Sequence, residues 1–152
     1  MVSNVTRGRE PERVRQFSVF IANRLGRLHD LIALLAAHDV HVLAMTILDT
    51  TDSAIVRLVT DDPQKGRELL KQSDFAFTES ELLVVELDSA TDLNRLVAAL
   101  LEAEINIHYL YSFIPQLHGK SIIGLSMEDT DVGETALRRH QFSVLMQSDI
   151  LR

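Results

Sequence analysis

Cysteine is absent from the 152 residues, and tryptophan with it. The first absence excludes a disulfide framework, thiol nucleophiles and thiolate metal sites, and it fits a reducing compartment. Proline occurs three times and glycine six times, too few for a linker-rich or low-complexity chain. Charge breaks every apolar run well short of the ~18 residues that would cross a bilayer. The N-terminus carries no apolar stretch of the kind a secretory signal needs. Positive charge is scarce as well: 15 Lys and Arg stand against 22 Asp and Glu, a net charge of −7. That balance argues against a general electrostatic grip on nucleic acid. The one basic cluster, Arg7, Arg9, Arg13 and Arg15, is diluted by Glu10 and Glu12 and reads as a solvated arm over residues 1–15. The expectation is a cytoplasmic protein with no nucleic-acid partner and no membrane partner.

What is present is a duplication. Shifted by 65 residues, Leu28, Leu31, Ile32 and Leu35 fall on Leu93, Leu96, Val97 and Leu100, and both sets have the i, i+3, i+4, i+7 spacing of one helical stripe. The same shift lays Val40-His41-Val42 on Ile105-Asn106-Ile107. Shifted by 67, Ile55 to Leu58 fall on Ile122 to Leu125, Gly66 on Gly133 and Phe75 on Phe142. The two extra residues lie near Pro115 to Lys120, where a turn absorbs them at little cost.

Each copy reads strand, helix, strand, strand, helix, strand. In the first, Phe17–Ile21 is a β-rich run, Leu28–His38 a helix, and Val40–Leu48 and Ala54–Thr60 strands joined by the turn-forming Asp49 to Asp52. Asp61-Asp62-Pro63 opens a second helix with acids and proline in its first turn, and Phe75–Thr78 closes the copy. The second copy repeats this with Leu82–Leu87, Thr91–Ala103, Ile105–Phe113, Lys120–Met127, Asp131–Arg139 and Phe142–Met146. Glu79 and Glu81 fall on the connector and read as solvated surface. A βαββαβ order implies right-handed crossovers, so the fold class is α+β: two ferredoxin-like units, each an antiparallel sheet with both helices on one face. The expected units are residues 16–80 and 81–152. Units this small bury little area alone, and the bare faces of their sheets would be apolar patches, so the copies are expected to pack together and a homodimer is expected as well.

The stretch from Gln16 to Leu28, ending Asn23-Arg24-Leu25-Gly26-Arg27-Leu28, resembles the first strand and Asn-x-Pro-Gly-x-Leu helix start of an ACT domain. The likeness continues at Leu48-Asp49-Thr50-Thr51-Asp52 with Arg57, and at Ile105 to Phe113. Over residues 16–150 the chain is similar to small bacterial proteins made of two ACT units. The resemblance implies a non-catalytic regulatory protein that binds a small amino acid at an interface between units and couples it to assembly or partner contacts. It implies ligand contacts from Asn23, Arg24, Leu25, Gly26, Arg27 and Leu28, facing Ala44, Met45 or Thr46 on the neighbouring strand of a partner unit. It also leaves open a second reading, the regulatory small subunit of a biosynthetic enzyme such as acetolactate synthase, with the catalytic subunit as partner.

The residues support the first loop independently. Gly26 lets the backbone turn and a ligand approach, the helix start offers free N–H groups to a carboxylate, and the Asn23 carbonyl suits an α-amino group. Leu25 replaces the family's proline, and the second copy has Thr91 where glycine would stand, beside Asp88 and Asp92 that would repel a carboxylate. The second loop is therefore expected to be structural or to read another group. Asp49, Asp52 and Arg57 are further candidates: a charge inside an apolar strand needs a carboxylate, either from the turn as a salt bridge or from a ligand. Tyr109 and Tyr111, expected to share one strand face with Ile107 and Phe113, read as seam packing whose hydroxyls could line a pocket. Neither His38 with His41 nor His108 with His118 has a third ligand at metal spacing, and no phosphate loop or nucleophile elbow occurs. No cofactor, metal or catalytic residue is expected.

Overall fold

Phe17, Val19 and Ile21 alternate along β1 (Val14–Ala22) and point one way, under the helices, while Val14, Gln16, Ser18 and Phe20 point the other. The same alternation organises the whole chain, whose computed structural model describes residues 11–22 and 25–151. After β1 come α1 (Leu25–Ala37), β2 (Val42–Asp49), β3 (Ser53–Thr60), α2 (Pro63–Gln72) and β4 (Ala76–Leu87). Then follow α3 (Thr91–Glu102), β5 (Ile107–Ser112), β6 (Ser121–Met127), α4 (Thr130–Arg139), β7 (Val144–Leu145) and the short α5 (Gln147–Ile150). The α+β class and the two ferredoxin-like units stand. The first unit pairs its strands in the order β4-β1-β3-β2 and the second in the order β7-β4-β6-β5, antiparallel throughout.

Both orders contain β4. The segments Phe75–Thr78 and Leu82–Leu87, expected as separate strands, are one 12-residue strand. Its first half pairs with β1 and its second half with β6 and β7. The polar residues between them make specific contacts. Glu79 pairs with Arg67 of α2, Glu81 with Arg13 at 2.9 Å, and the Ser80 hydroxyl accepts from the Gln16 amide at 3.1 Å. Glu79 and Glu81 thus lie on a strand rather than a connector and pair with arginines, Glu79 half-buried and Glu81 at the surface as expected. The expected unit division at 80/81 falls inside this strand.

Three cores result. Leu31, Leu35, Leu70 and Phe75 pack α1 and α2 onto Phe17, Val19, Val56 and Leu58. Leu96, Leu100, Leu137 and Phe142 do the same for α3 and α4 on Leu83, Val85 and Leu125. The third lies on the other face of the sheet: Val14, Ala44, Val59, Leu82, Val84, Tyr111, Phe113, Ile122 and Leu145. Burying a leucine such as Leu31 or Leu96 contributes ~1.5–3 kcal/mol. The sheet curls until its outer strands meet, through an Ala44–Phe113 bridge and a hydrogen bond from the Ile114 N–H to the Leu43 carbonyl at 2.7 Å. The two bare faces therefore cover each other within one chain.

A bulge sits at the same repeat position in each half, between Val42 and Ala44 and between Ile107 and Tyr109. The extra residue resets which side chains share a face. Val42 and Ile107 lie under the helices, whereas Ala44, Tyr109, Tyr111 and Phe113 point into the curl. This corrects the expected common face of Ile107 with Tyr109 and Tyr111: strict alternation ignores an inserted residue. Gly124 belongs to the same interior, where a Cβ would stand 2.5 Å from Leu82 Cδ2, so close packing there requires glycine.

Candidate functional site

The first loop of the chain ends in α1, whose first residues are Leu25 and Gly26. Asn23 and Arg24 lie outside the described residues. Leu25 is 87% exposed, and a Cβ added at Gly26 would meet nothing within 4 Å. Beneath this helix start is an apolar pocket of about 210 Å³, bounded by Ile21, Leu25, Leu28, Ile47, Ala54 and Val56. The positive end of the helix dipole favours negative charge at the pocket's rim. Arg27 is turned away from the opening. Its guanidinium lies 4.4 Å from the centre of the Phe75 ring and 3.7 Å from Asp30.

The structure does not bring all the sequence candidates to this pocket. Met45 is partly exposed on the helix side of β2, where its neighbour Ile47 forms a pocket wall. Ala44 is fully buried inside the curl, bridged to Phe113. Thr46 pairs with Arg57 across β2 and β3, on the inner face, behind the sheet from the pocket. Ile21, Ile47 and Val56 were missed as pocket walls. Period-two alternation carried the signal, since all three share the face that α1 covers.

The corresponding loop of the second half is closed by its own side chains. The Asp92 carboxylate accepts from the Asp88 N–H at 2.8 Å and the Ser89 N–H at 3.3 Å, and these bonds hold it below the usual carboxylate range. Lys120 reaches Asp88 at 3.0 Å. The donors ahead of α3 are thus occupied by its own Asp92.

A second cluster lies inside the curl. Gln16 is fully buried. Its amide donates to the Tyr109 hydroxyl at 2.7 Å and to Ser80, while its carbonyl accepts from the Tyr111 hydroxyl at 2.5 Å. Burial pushes the Tyr111 phenol up from its ordinary value, so it remains a donor. The Arg57 guanidinium stacks 4.1 Å from the centre of the Tyr109 ring. It makes no salt bridge with Asp49 or Asp52, and its buried Nε has no hydrogen-bond partner. The expected turn salt bridge does not form because Arg57 points to the inner face, toward β5. Asp49 ends β2 and Asp52 lies in the hairpin that follows.

Two wider clefts, of about 520 and 750 Å³, flank the beginning of β1. Charged residues dominate their walls. Arg13 holds Glu81, Asp131 and Glu134; burial opposes its charge, but the three hydrogen bonds outweigh burial and raise its pKa. The hydrogen bond from Arg67 likewise lowers Glu79. Among the described residues no three His, Cys, Asp or Glu side chains cluster to hold a metal, and no helix is long and apolar enough to cross a membrane.

The fold is shared with solved structures. A protein of Bacteroides thetaiotaomicron, BT0572, superposes with a TM-score of 0.84 at 23% identity, covering 93% of this chain and 98% of that one. The regulatory subunit of aspartate kinase from Thermus thermophilus, in its ligand-free form, gives 0.58 at 16% identity, covering 87% and 93%. No curated protein sequence matches. With two βαββαβ units sharing β4, and with a family pattern matching residues 12–151, the chain belongs to the ACT domain pair family.

Proposed function

We propose that the protein is a non-catalytic regulator that binds a small amino acid at the start of α1 and converts binding into a change of assembly or partner contact. The observation that carries this reading is the apolar pocket directly beneath a helix start whose Leu25 is exposed and whose Gly26 is uncrowded. A free amino acid needs both features, a site for its carboxylate and a dry space for its side chain. The walls Ile21, Leu28, Ile47 and Val56 favour an aliphatic side chain. Asn23 is proposed to receive the α-amino group, and Arg24 to stand at the rim. The family and the fold likeness to an aspartate kinase regulatory subunit support a regulatory role. Under the alternative, the chain is the small subunit of a biosynthetic enzyme such as acetolactate synthase, and a catalytic subunit would co-purify with it.

A ligand acts here only through its different affinity for two states. A ligand seated at the start of α1 changes the surface which that end of the molecule presents to a partner. Calorimetry and thermal shift against a panel of amino acids test the reading. An aliphatic amino acid at 100 times its Kd is expected to stabilise by about 2.7 kcal/mol. Gly26→Leu is expected to remove that response with little change in the unliganded melting temperature, because nothing crowds the position. Absence of stabilisation by every amino acid at millimolar concentration would sink it.

A further inference from the structure

At the pocket under α1 the two halves of the chain differ in a way the fold does not require. Met45 and Ile47 lie on the helix side of β2, and their repeat counterparts on β5 are Leu110 and Ser112. Met45 and Leu110 are both apolar and partly exposed, so an apolar residue recurs at that place in both outer strands. At the next place it does not. Ile47 is 45% exposed, and its counterpart Ser112 is exposed and polar. Ile47 pairs with Val56 as Ser112 pairs with Ile123, so the strands form equally well with either residue. With nearly half of its surface in water, Ile47 contributes little to the fold by burial.

On β3 the contrast repeats. Ala54 is buried opposite Ile21 of β1, whereas its counterpart Ser121 is exposed opposite Leu87 of β4. Val56 and Ile123, the next residues on that side, are apolar in both halves. Ile47 and Ala54 are thus the pocket walls on the helix side of the sheet whose counterparts are polar. Ala54 is the smallest of the sheet residues beneath Leu25 and Leu28, and Ile47 closes the side at the outermost strand.

We propose that Ile47 and Ala54 set the size of the side chain that this pocket admits, Ala54 by the room its short side chain leaves and Ile47 by walling the sheet edge. The proposal rests on the reading that the pocket holds an amino acid. Its cavity is about 210 Å³, room for roughly seven groups of water size at ~30 Å³ each. After the Cα, amino nitrogen and carboxyl carbon of an amino acid, about four remain for the side chain. A branched aliphatic side chain fits that space, and a benzyl group exceeds it. A larger residue at position 54 takes the space away, and a smaller one at position 47 opens it sideways.

Titration calorimetry on the full chain with alanine, leucine and phenylalanine tests this, and thermal melts check that each variant folds. The wild type is expected to bind leucine about tenfold or more tightly than phenylalanine. Ile47→Ala is expected to move that ratio toward phenylalanine by about tenfold or more. Its unliganded melting temperature is expected to change little, because the side chain it removes is already half in water. Ala54→Leu is expected to weaken leucine by about tenfold or more while sparing alanine. Should Ala54→Leu not fold, the ratio in Ile47→Ala decides alone. A wild type that prefers phenylalanine overturns the proposal, as does a ratio unchanged by Ile47→Ala; leucine binding untouched by Ala54→Leu overturns the role of Ala54. A wild type that binds no amino acid overturns the preceding reading itself. Leucine binding that is lost in Gly26→Leu but keeps its ratio in Ile47→Ala refutes this proposal alone.

Discussion

Asp62 caps α2 by accepting the Lys65 N–H at 3.1 Å, and Asp129, 67 residues on, caps α4 by accepting the Val132 N–H at 3.1 Å. Asp39 and Glu104 leave α1 and α3 with φ of 60° and 58°, and Asp74 and Gln141 leave α2 and α4 with φ of 56° and 64°. The bulges recur as well. On the inner face the halves part company. Gln16 and Ser18 of β1 pair with β4 in the first half, while Leu82 and Val84 take the matching inward places in the second; Gly124 stands where the repeat of Arg57 would be. Arg67 of α2 is matched by Glu134 of α4, so the staple to the strands reverses its charge. Caps and bulges answer to the backbone of their own unit, and a duplicated backbone keeps them. Inward side chains answer to whatever lies across the curl, and there the two halves face each other rather than copies of themselves.

The strongest test of this equivalence is in the helix cores. Leu31→Ala and Leu96→Ala remove fully buried side chains at the same repeat position, and each is expected to cost ~2–5 kcal/mol. Because β4 belongs to both sheets, either variant is expected to unfold in one transition in urea followed by circular dichroism. Two separated transitions would break the picture of a shared strand.

Next in size is the polar cluster that only the first half supplies. Gln16→Leu imports the second half's residue type and strands two tyrosine hydroxyls, at an expected cost of ~1–3 kcal/mol. Adding Tyr109→Phe and Tyr111→Phe is expected to recover part of the loss in the same urea titration.

The helical glycines should give opposite signs. At Gly66 an added Cβ meets only ordinary contacts at 3.5 Å, so Gly66→Ala is expected to stabilise by up to ~1 kcal/mol. At Gly133 the Cβ would stand 2.0 Å from Met127 Sδ, so Gly133→Ala must displace a buried side chain and is expected to lower the melting temperature. Equal shifts would mean that Met127 yields freely.

The smallest effect is electrostatic. Glu79 is held below its ordinary value by Arg67, so the pair's stabilisation is present above the unfolded carboxylate range and lost as pH falls through the lowered folded value. Partly exposed, it is worth about 1 kcal/mol or less. Glu79→Gln is expected to flatten the acid limb of the stability profile and to change little between neutral and mildly alkaline pH.

Much of this molecule was legible as a string. The stripes of α1 and α3, the acids and Pro63 opening α2, and the repeat itself follow from periodicity and local chemistry, which need no knowledge of distant residues. Gly26 reads as a turn ahead of a helix from Leu28, but α1 begins at Leu25 and Gly26 lies in its first turn. The pocket beneath it was legible only in part, because its walls come from three strands and one helix, and a one-residue bulge in β2 decides which of its side chains reach that face.

Local pattern by itself determined two βαββαβ units with helices on one side. Only the tertiary structure decided that they share β4 and that the sheet curls until Ala44 meets Phe113, leaving Arg57 against a tyrosine rather than an aspartate. The physical reason is range: turn and helix preferences act over a few residues, whereas the partner of an inward side chain is set by how two distant sheet faces twist and close.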